Sequence, residues 1–214
     1  MDDTNVRVNS AKAWFLAARP KTLTGAAVPV MIGIACAVAL HGAEVRWVPA
    51  VLCMLFALIM QIDANFVNDY FDFMKGTDDE QRLGPKRACS QGWISAPAMR
   101  SALLLTTAVA CVVGLPLILY GGWEMILVGL ACVVFCFLYT ISLSYMGLGD
   151  VLVLVFFGLV PVSMTYWLVA PASPLLSIPL TVIGLSLACG LVIDTLLVVN
   201  NYRDIDNDRR TGKR

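Results

Sequence analysis

The sequence predicts an all-α, polytopic transmembrane bundle of about six spans. Of its 214 residues, 59% are hydrophobic and only 14% are charged, and the mean hydropathy is +0.79. A soluble domain averages about 45–50% apolar and about 25% charged residues. The apolar residues are gathered in six long runs. This composition excludes a disordered chain, a soluble enzyme and a nucleic-acid-binding protein with a broad basic face.

Each apolar run approaches the length of about 20 residues that a helix needs to cross a bilayer. None shows the extended alternation of a β-barrel strand. The first run follows a polar N-terminal segment, residues 1–22, without a small-residue cleavage pattern, so we predict a retained helix. Prolines in the first, third and fifth runs predict kinks. The predicted spans are residues 23–40, 47–67, 99–120, 123–140, 150–170 and 178–199.

The basic residues predict the orientation of these spans. With six spans, 14 of the 15 Lys and Arg residues fall on one side, in the N-terminal segment, the long connection after the second span and the C-terminal tail. Only Arg46 falls on the other side. The positive-inside rule makes the basic side cytoplasmic. We therefore expect a multi-pass protein of the cell inner (plasma) membrane, with a cytoplasmic N-terminus and a cytoplasmic functional loop at residues 68–98.

Two polar clusters lie at the cytoplasmic ends of the second and sixth spans. In the first cluster, Asn65, Asp69 and Asp72 share one helical face by their spacing. In the second, Asn200, Asp204 and Asp208 do the same. Both contain an Asn-x-x-x-Asp pattern, and the two patterns are offset by 135 positions. The repeated pattern indicates that the same kind of polar site occurs twice on one side of the membrane.

Carboxylate and amide oxygens are hard ligands that suit Mg²⁺, which usually binds one or two carboxylates together with substrate phosphates. Two facing clusters could hold a diphosphate through Mg²⁺, with Lys86, Arg87 and Arg203 nearby in the sequence to take up the remaining charge. A diphosphate neutralised in this way is a good leaving group. Its departure from an allylic carbon gives a cation that an apolar, aromatic cavity can shelter.

Other readings of these residues stay open at this stage. Each cluster could be an ordinary solvated helix end. Asp63 and Asp194 lie within apolar spans, where an ionisable group is a functional hypothesis by default, although either could be a helix-packing hydrogen bonder. As relay groups they would fit a non-enzymatic transporter. A CDP-alcohol phosphotransferase also uses Mg²⁺, but its Asp-Gly-x-x-Ala-Arg motif is absent from the sequence.

At the two clusters the sequence resembles the UbiA superfamily of membrane prenyltransferases, in particular its branch that prenylates 1,4-dihydroxy-2-naphthoate in menaquinone synthesis. The resemblance extends over almost the whole chain, with looser matches at residues 139–140 and 147–150. The matching stretches are Arg19-Pro20-Lys21-Thr22-Leu23, residues 65–78 with the first aspartate motif, Gly84-Pro85-Lys86-Arg87 with Gly92, and residues 200–208 with the second aspartate motif and Gly212-Lys213-Arg214.

This resemblance implies a single prenyltransferase domain over residues 1–214, with helices around a central cavity open at the cytoplasmic side. It implies Mg²⁺ as cofactor, a polyprenyl diphosphate donor, and an aromatic acceptor whose carboxylate is replaced by the prenyl group with loss of CO₂, giving demethylmenaquinol. Asp69, Asp72, Asp204 and Asp208 are then the catalytic residues. With Asn65 and Asn200 they form the Mg²⁺ site. The implied substrate-binding residues are Asn65, Asn68, Lys86, Arg87, Asn200, Asn201 and Arg203.

Three departures from the family pattern qualify this expectation. Gly76 stands where other branches place a third aspartate, which fits the naphthoate branch and argues against a 4-hydroxybenzoate enzyme. Residues 141–143 are Ile-Ser-Leu where the naphthoate branch has Gly-Gly-Pro, so prenyl transfer to another aromatic acceptor such as 4-hydroxybenzoate stays an alternative. Six spans stand against nine in the family, which predicts a C-terminally truncated chain. The sequence gives no prenyl chain length and no oligomeric state.

Overall fold

The structure is a computed structural model that describes residues 6–76, 84–171 and 177–211, with side chains described as far as residue 205. It is helical, and the described residues contain no β-strand. Six helices or helical stretches are long and apolar enough to cross a membrane, which confirms the predicted fold class. The helices are α1 (Ala11–Ala18), α2 (Leu23–His41), α3 (Trp47–Lys75), α4 (Ala96–Gly114), α5 (Ile118–Gly121), α6 (Glu124–Ile141), α7 (Gly149–Val153), α8 (Val160–Val169) and α9 (Leu180–Thr211).

The prolines inside the spans have different effects on their helices. Pro29 is accommodated within α2, which continues to His41. Pro116 lies in the 3₁₀ segment Leu115–Leu117 that separates α4 from α5. Pro161 occupies the first turn of α8, directly after the π-helical segment Leu154–Leu159. A proline is tolerated in the first turn because its missing N–H has no intrahelical partner there. The predicted kinks therefore correspond to interruptions in two of the three spans.

Two spans extend well beyond their apolar stretches, and both extensions carry polar motifs. The sequence predicted that the second span would end at residue 67, but α3 continues to Lys75. The sixth span was predicted to end at residue 199, but α9 continues to Thr211. The connection predicted at residues 68–98 is accordingly shorter, lying between Lys75 and Ala96. Apolar length marks the part of a helix in the membrane, whereas the helix itself ends where a cap stops it.

Glycine stops α3 at the end that carries the first polar cluster. Gly76 adopts a left-handed conformation with φ +67°, and its N–H caps the carbonyls of Asp72 and Phe73. Glycine adopts this conformation more readily than aspartate does. The residue that departs from the other branches of the family is thus the one that ends the helix.

The long helices pack closely against their neighbours in the second half of the chain. A Cβ atom added to Gly158 would lie 2.6 Å from the carbonyl oxygen of Ser186 and 2.7 Å from Cα of Gly190. Nearby, the hydroxyls of Ser163 and Ser186 share a hydrogen bond of 2.9 Å. Small residues at such crossings let membrane helices approach closely. This contact fixes α9 against the π-helical segment and α8.

One buried cluster lies at the end of the bundle that carries the first motif. It joins α1, α3, α4 and the connection before α4. Ile94 and Met99 are completely or almost completely buried there, and full burial of such a side chain contributes about 1.5–3 kcal/mol. Ala88, Cys89, Trp93 and Ile94 of the connection are therefore part of the folded core. The buried members are Ala13, Ala17, Phe66, Val67, Ala88, Cys89, Trp93, Ile94, Met99 and Leu103.

Candidate active site

The first polar cluster lies on the extension of α3 and is buried. Asn65, Asp69 and Asp72 are each only 3% exposed. Polar groups of this kind are costly to bury unless they are hydrogen-bonded or paired. Each of the three has such a partner, and the partners come from segments distant in the sequence.

Asn65 is hydrogen-bonded to the segment that leads into the first span. Its Nδ2 donates to the backbone oxygen of Ala18 and to Oγ1 of Thr22, both at 2.9 Å. Two acceptors fix which way the amide group is turned. The amide oxygen Oδ1 then lies on the opposite side of the amide group and is the Asn65 atom that can bind a cation.

Asp69 is hydrogen-bonded to the backbone of the connection that precedes α4. Its two carboxylate oxygens accept the backbone N–H groups of Ala88 at 2.7 Å and Cys89 at 2.8 Å. These residues open a tight turn that closes with a bond of 2.8 Å from the N–H of Trp93 to the oxygen of Ala88. Gly92 allows this closure by adopting φ +67°. By accepting these two N–H groups, the Asp69 carboxylate fixes the position of the turn.

Asp72 lies one helical turn beyond Asp69 and faces the same turn. Its Oδ2 accepts from the guanidinium of Arg87 at 3.4 Å, and both side chains are buried. Arg87 directly precedes the residue whose N–H binds Asp69, so the two aspartates together place the guanidinium at the end of α3. Lys86, the neighbouring basic residue of the predicted site, is exposed.

The carboxylate of Asp69 also affects a cysteine in the turn. Burial raises the pKa of the Cys89 thiol, and the negative charge of Asp69 and its hydrogen bond raise it further. The thiol is therefore held in its neutral form, in which it is a poor nucleophile. Cys89 acts as a small buried side chain of the core cluster.

Asn68 and Lys75 connect α3 to the end of α6, a link that no pattern in the sequence predicted. Oδ1 of Asn68 accepts a hydrogen bond from the hydroxyl of Thr140. Nζ of Lys75 donates to the backbone oxygens of Thr140 at 3.1 Å and Ile141 at 2.7 Å. The signal available was weak: Thr140 lies in a loosely matching stretch, and Lys75 lies within the first motif.

The second polar cluster has a more open environment. Asn200, Asn201 and Tyr202 are exposed, and Tyr202 reaches 79% exposure. Arg203 donates to both oxygens of Asp204, at 2.8 and 2.7 Å. Asp208 lies in α9, but its side chain is outside the described part of the chain. The predicted helical register is therefore present, while the surroundings differ from those of the first cluster.

The two carboxylates within the spans have different environments. Asp63 is fully buried, and its oxygens accept from the hydroxyls of Thr106 and, at 2.9 Å, Thr107 of α4. It therefore fixes the packing of α3 on α4. Asp194 has one buried oxygen without a hydrogen-bond partner among the described residues.

The donor set of these residues fits a divalent cation. Amide and carboxylate oxygens on one helical face, with a guanidinium beside them, match the way Mg²⁺ and a phosphate group are held together. In the part of the chain that the structure describes, no group of three or more His, Cys, Asp or Glu side chains encloses a metal position. This is compatible with Mg²⁺, which keeps several waters and takes further ligands from substrate phosphates.

Comparison with known proteins gives the family. Residues 26–214 match the UbiA prenyltransferase family. The 1,4-dihydroxy-2-naphthoate octaprenyltransferase of Escherichia coli (strain K12) is 34% identical over 98% of this chain and 69% of its own length. The Haemophilus influenzae protein of the same name is 36% identical over 94% of this chain and 67% of its own length. The UbiA prenyltransferase domain-containing protein 1 homolog of Drosophila melanogaster is 31% identical over 94% of this chain and 56% of its own length.

The chain thus spans about two thirds of the length of the bacterial relatives it matches. The matches confirm the resemblance seen in the two aspartate motifs, and the six apolar helices agree with a protein that crosses the membrane several times. This chain belongs to the UbiA prenyltransferase family and is a multi-pass membrane prenyltransferase.

Proposed function

We propose that this enzyme transfers a polyprenyl group from polyprenyl diphosphate to 1,4-dihydroxy-2-naphthoate, giving demethylmenaquinol. The observation that carries the proposal is the identity of 34–36% to octaprenyltransferases named for this acceptor, over at least 94% of the chain. The buried acid and guanidinium groups at the end of α3 supply the chemistry that a diphosphate requires. The alternative is prenyl transfer to another aromatic acceptor, such as 4-hydroxybenzoate. The experiment must distinguish this acceptor from 1,4-dihydroxy-2-naphthoate.

In the proposed reaction the C–O bond between the prenyl C1 carbon and the diphosphate breaks, and its electron pair leaves with the diphosphate. The acceptor ring carbon that carries the carboxylate forms the new C–C bond to C1. The bond to the carboxylate then breaks, its electrons restore the aromatic ring, and CO₂ leaves. Charge and atoms balance without an oxidant or reductant.

The chain's own residues prepare this step. Arg87, held by Asp72 and by the turn that Asp69 pins, places a positive charge beside the diphosphate. Lys86 is exposed and can approach the outer phosphate. The proposed metal site uses oxygens of Asn65, Asp69, Asp72, Asn200, Asp204 and Asp208, and the proposed substrate contacts include Asn68, Asn201 and Arg203. When bound there, Mg²⁺ would neutralise the leaving diphosphate.

Aromatic side chains near the first motif offer shelter for the allylic cation. The ring of Phe71 packs edge-on against Tyr70 at 5.2 Å and against Phe137 at 6.3 Å between centroids. An aromatic face attracts a cation, and an apolar wall excludes water that would otherwise capture it. The side of the membrane is a proposal from charge alone: the basic end, with both motifs and the N-terminus, lies in the cytoplasm.

A transport function has less support. It would require Asp63 to act as an accessible relay group, but both of its oxygens are used in contacts between α3 and α4. The family match also gives a prenyltransferase.

The test is prenyl transfer by this chain in membranes, with 1,4-dihydroxy-2-naphthoate and 4-hydroxybenzoate in competition and products identified by mass spectrometry. We expect a prenylated naphthoquinol lacking the carboxylate, formed with Mg²⁺ and absent with EDTA. A prenylated benzoate as the main product would overturn the acceptor. A product formed equally well in EDTA would overturn the metal. Absence of both products from folded protein would overturn the proposed activity of this chain.

A further inference from the structure

Lys75 is an exposed residue whose ammonium group links two helices. Its ammonium donates to the carbonyls of Thr140 and Ile141 and lies 4.2 Å from the centre of the Tyr145 ring. The last carbonyls of a helix lack intrahelical partners and carry the negative end of its dipole. Lys75 of α3 therefore caps α6 from outside, and the hydroxyl of Thr140 bonds Asn68 in return.

The segment that Lys75 holds leads to the helix of the second motif. After Ile141 the chain forms a 3₁₀ turn over Leu143–Met146 and enters α7 at Gly149. Gly149 packs closely against α9. A Cβ atom added to Gly149 would lie 3.2 Å from Cδ2 of Leu197. Leu197 stands seven residues before Asp204, about two helical turns along α9. Residues 140–149 thus bridge α3 and α9.

We propose that Lys75 is a positioning residue that sets the spacing of the two aspartate motifs through residues 140–149. The inference rests on the proposed function, since it assumes that both motifs serve one metal–diphosphate group. Such a group tolerates little change in the separation of its ligands, because Mg²⁺ demands near-ideal geometry. The carbonyls and the Tyr145 ring hold the Lys75 charge, so its role is to fix the bridge and not to bind phosphate.

The test compares Lys75→Met, Lys75→Arg and Lys12→Met in the full chain, purified and returned to lipid. Lys12 is exposed on α1 and gives a chemically matched control. Hydrogen exchange measures the bridge directly, without substrate. We expect Lys75→Met to speed exchange at residues 141–149 by roughly tenfold or more, as the cap is lost. Lys75→Arg, which keeps charge and donors, and Lys12→Met should leave it nearly unchanged.

The second readout is the Mg²⁺ concentration that gives half-maximal activity. We expect Lys75→Met to raise it roughly tenfold, because a small displacement of ligands has a large effect, and Lys75→Arg to restore most of the loss. A change limited to fold stability would lower the amount of active protein and leave this concentration unchanged. That result, or unaltered exchange in Lys75→Met, would overturn the inference.

A second pair of variants covers the case in which Lys75→Met fails to fold. Tyr145→Leu removes the ring beneath the ammonium, whereas Tyr145→Phe keeps it. We expect the Mg²⁺ requirement to rise in Tyr145→Leu and to stay near wild type in Tyr145→Phe, and equal behaviour of the pair would count against the inference. If the unmodified enzyme itself shows no Mg²⁺ dependence, the proposed metal fails, while the exchange experiment still tests the bridge.

Discussion

The two aspartate motifs share a spacing and differ in almost everything around it. In the first, Asp69 and Asp72 are buried and bind a turn that lies about 15–20 residues further along the chain. In the second, Asp204 is bound by its immediate neighbour Arg203, and the side chains before it are exposed. The first motif therefore stabilises a distant segment of the chain, whereas the ion pair of Asp204 with Arg203 joins two neighbouring residues.

Two motifs with the same Asn-x-x-x-Asp pattern therefore need not contribute equally to the stability of the fold. A buried carboxylate that bonds two backbone N–H groups loses those bonds when it is replaced, and the donors are left unsatisfied. A partly exposed ion pair between neighbours contributes little to stability. Matching substitutions in the two motifs should therefore separate catalysis from folding.

The largest expected effect comes from Asp69→Ala compared with Asp204→Ala. Both should lower prenyl transfer by roughly 100-fold or more, the scale seen when a charge-stabilising group is removed from an active site. Only Asp69→Ala should also destabilise the protein, by about 2–3 kcal/mol, since two buried donors lose their acceptor. Activity per folded enzyme and a thermal-shift assay in detergent measure the two effects. Equal destabilisation by both variants would remove the contrast.

A smaller effect is expected from the arginines. Arg87→Met leaves Asp72 buried without its paired charge, and should cost about 3 kcal/mol. Arg203→Met removes a half-exposed partner and should cost under about 1 kcal/mol. In the double variant Arg87→Met/Asp72→Asn, part of the first loss should be recovered because the uncompensated charge is gone. Additive losses in that cycle would show that the two side chains are not coupled.

Asp63 provides a reference outside both motifs. Asp63→Asn keeps the shape of the side chain but turns one acceptor into a donor opposite a threonine hydroxyl. Interhelical hydrogen bonds in membranes contribute about 0.6–2 kcal/mol, so we expect destabilisation of that size. Prenyl transfer per folded enzyme should stay within about twofold of wild type. A loss of activity as large as that in Asp204→Ala would instead place Asp63 in the chemistry.

The smallest expected effect is on the rate at which the Cys89 thiol reacts with maleimide. Burial and the Asp69 charge raise the pKa of this thiol, so little thiolate exists at pH 8–9 and maleimide labelling should be slow. Labelling should accelerate only at higher pH. In Asp69→Asn the charge is absent and the turn is less tightly held, so the rate at pH 8.5 should rise several-fold. The measurement uses a variant with Cys89 as its single cysteine, and the same protein unfolded in detergent gives the reference rate.

Several features of the site were readable from residue order alone. The i, i+4, i+7 spacing of Asn65, Asp69 and Asp72 predicted a shared helical face, and the structure places all three on α3. The register of Asn200 and Asp204 was likewise predicted, and both lie on α9. Local spacing is enough for this because a helix repeats every 3.6 residues. The ligand roles of these residues remain predictions.

Other features depended on contacts between distant residues. The contact of Asp69 with Ala88 and Cys89, and that of Lys75 with Ile141, join segments whose separation carries no periodic signal. Hydropathy marked the end of the second apolar span near residue 67, whereas the helix that carries it continues to Lys75, because hydropathy falls where the helix leaves the apolar layer. A span boundary in the sequence and a helix boundary in the structure are different physical events.

Residue order alone predicted a six-span helical membrane protein with two oxygen-rich motifs. Those properties follow from composition, from run length against bilayer thickness, and from helical spacing, all of which act locally. Contacts between distant residues established which motif is buried, which carboxylates fix the turn that carries Arg87, and which lysine caps α6. Those properties follow from the burial of polar groups, each of which must find a partner wherever the fold brings one within reach.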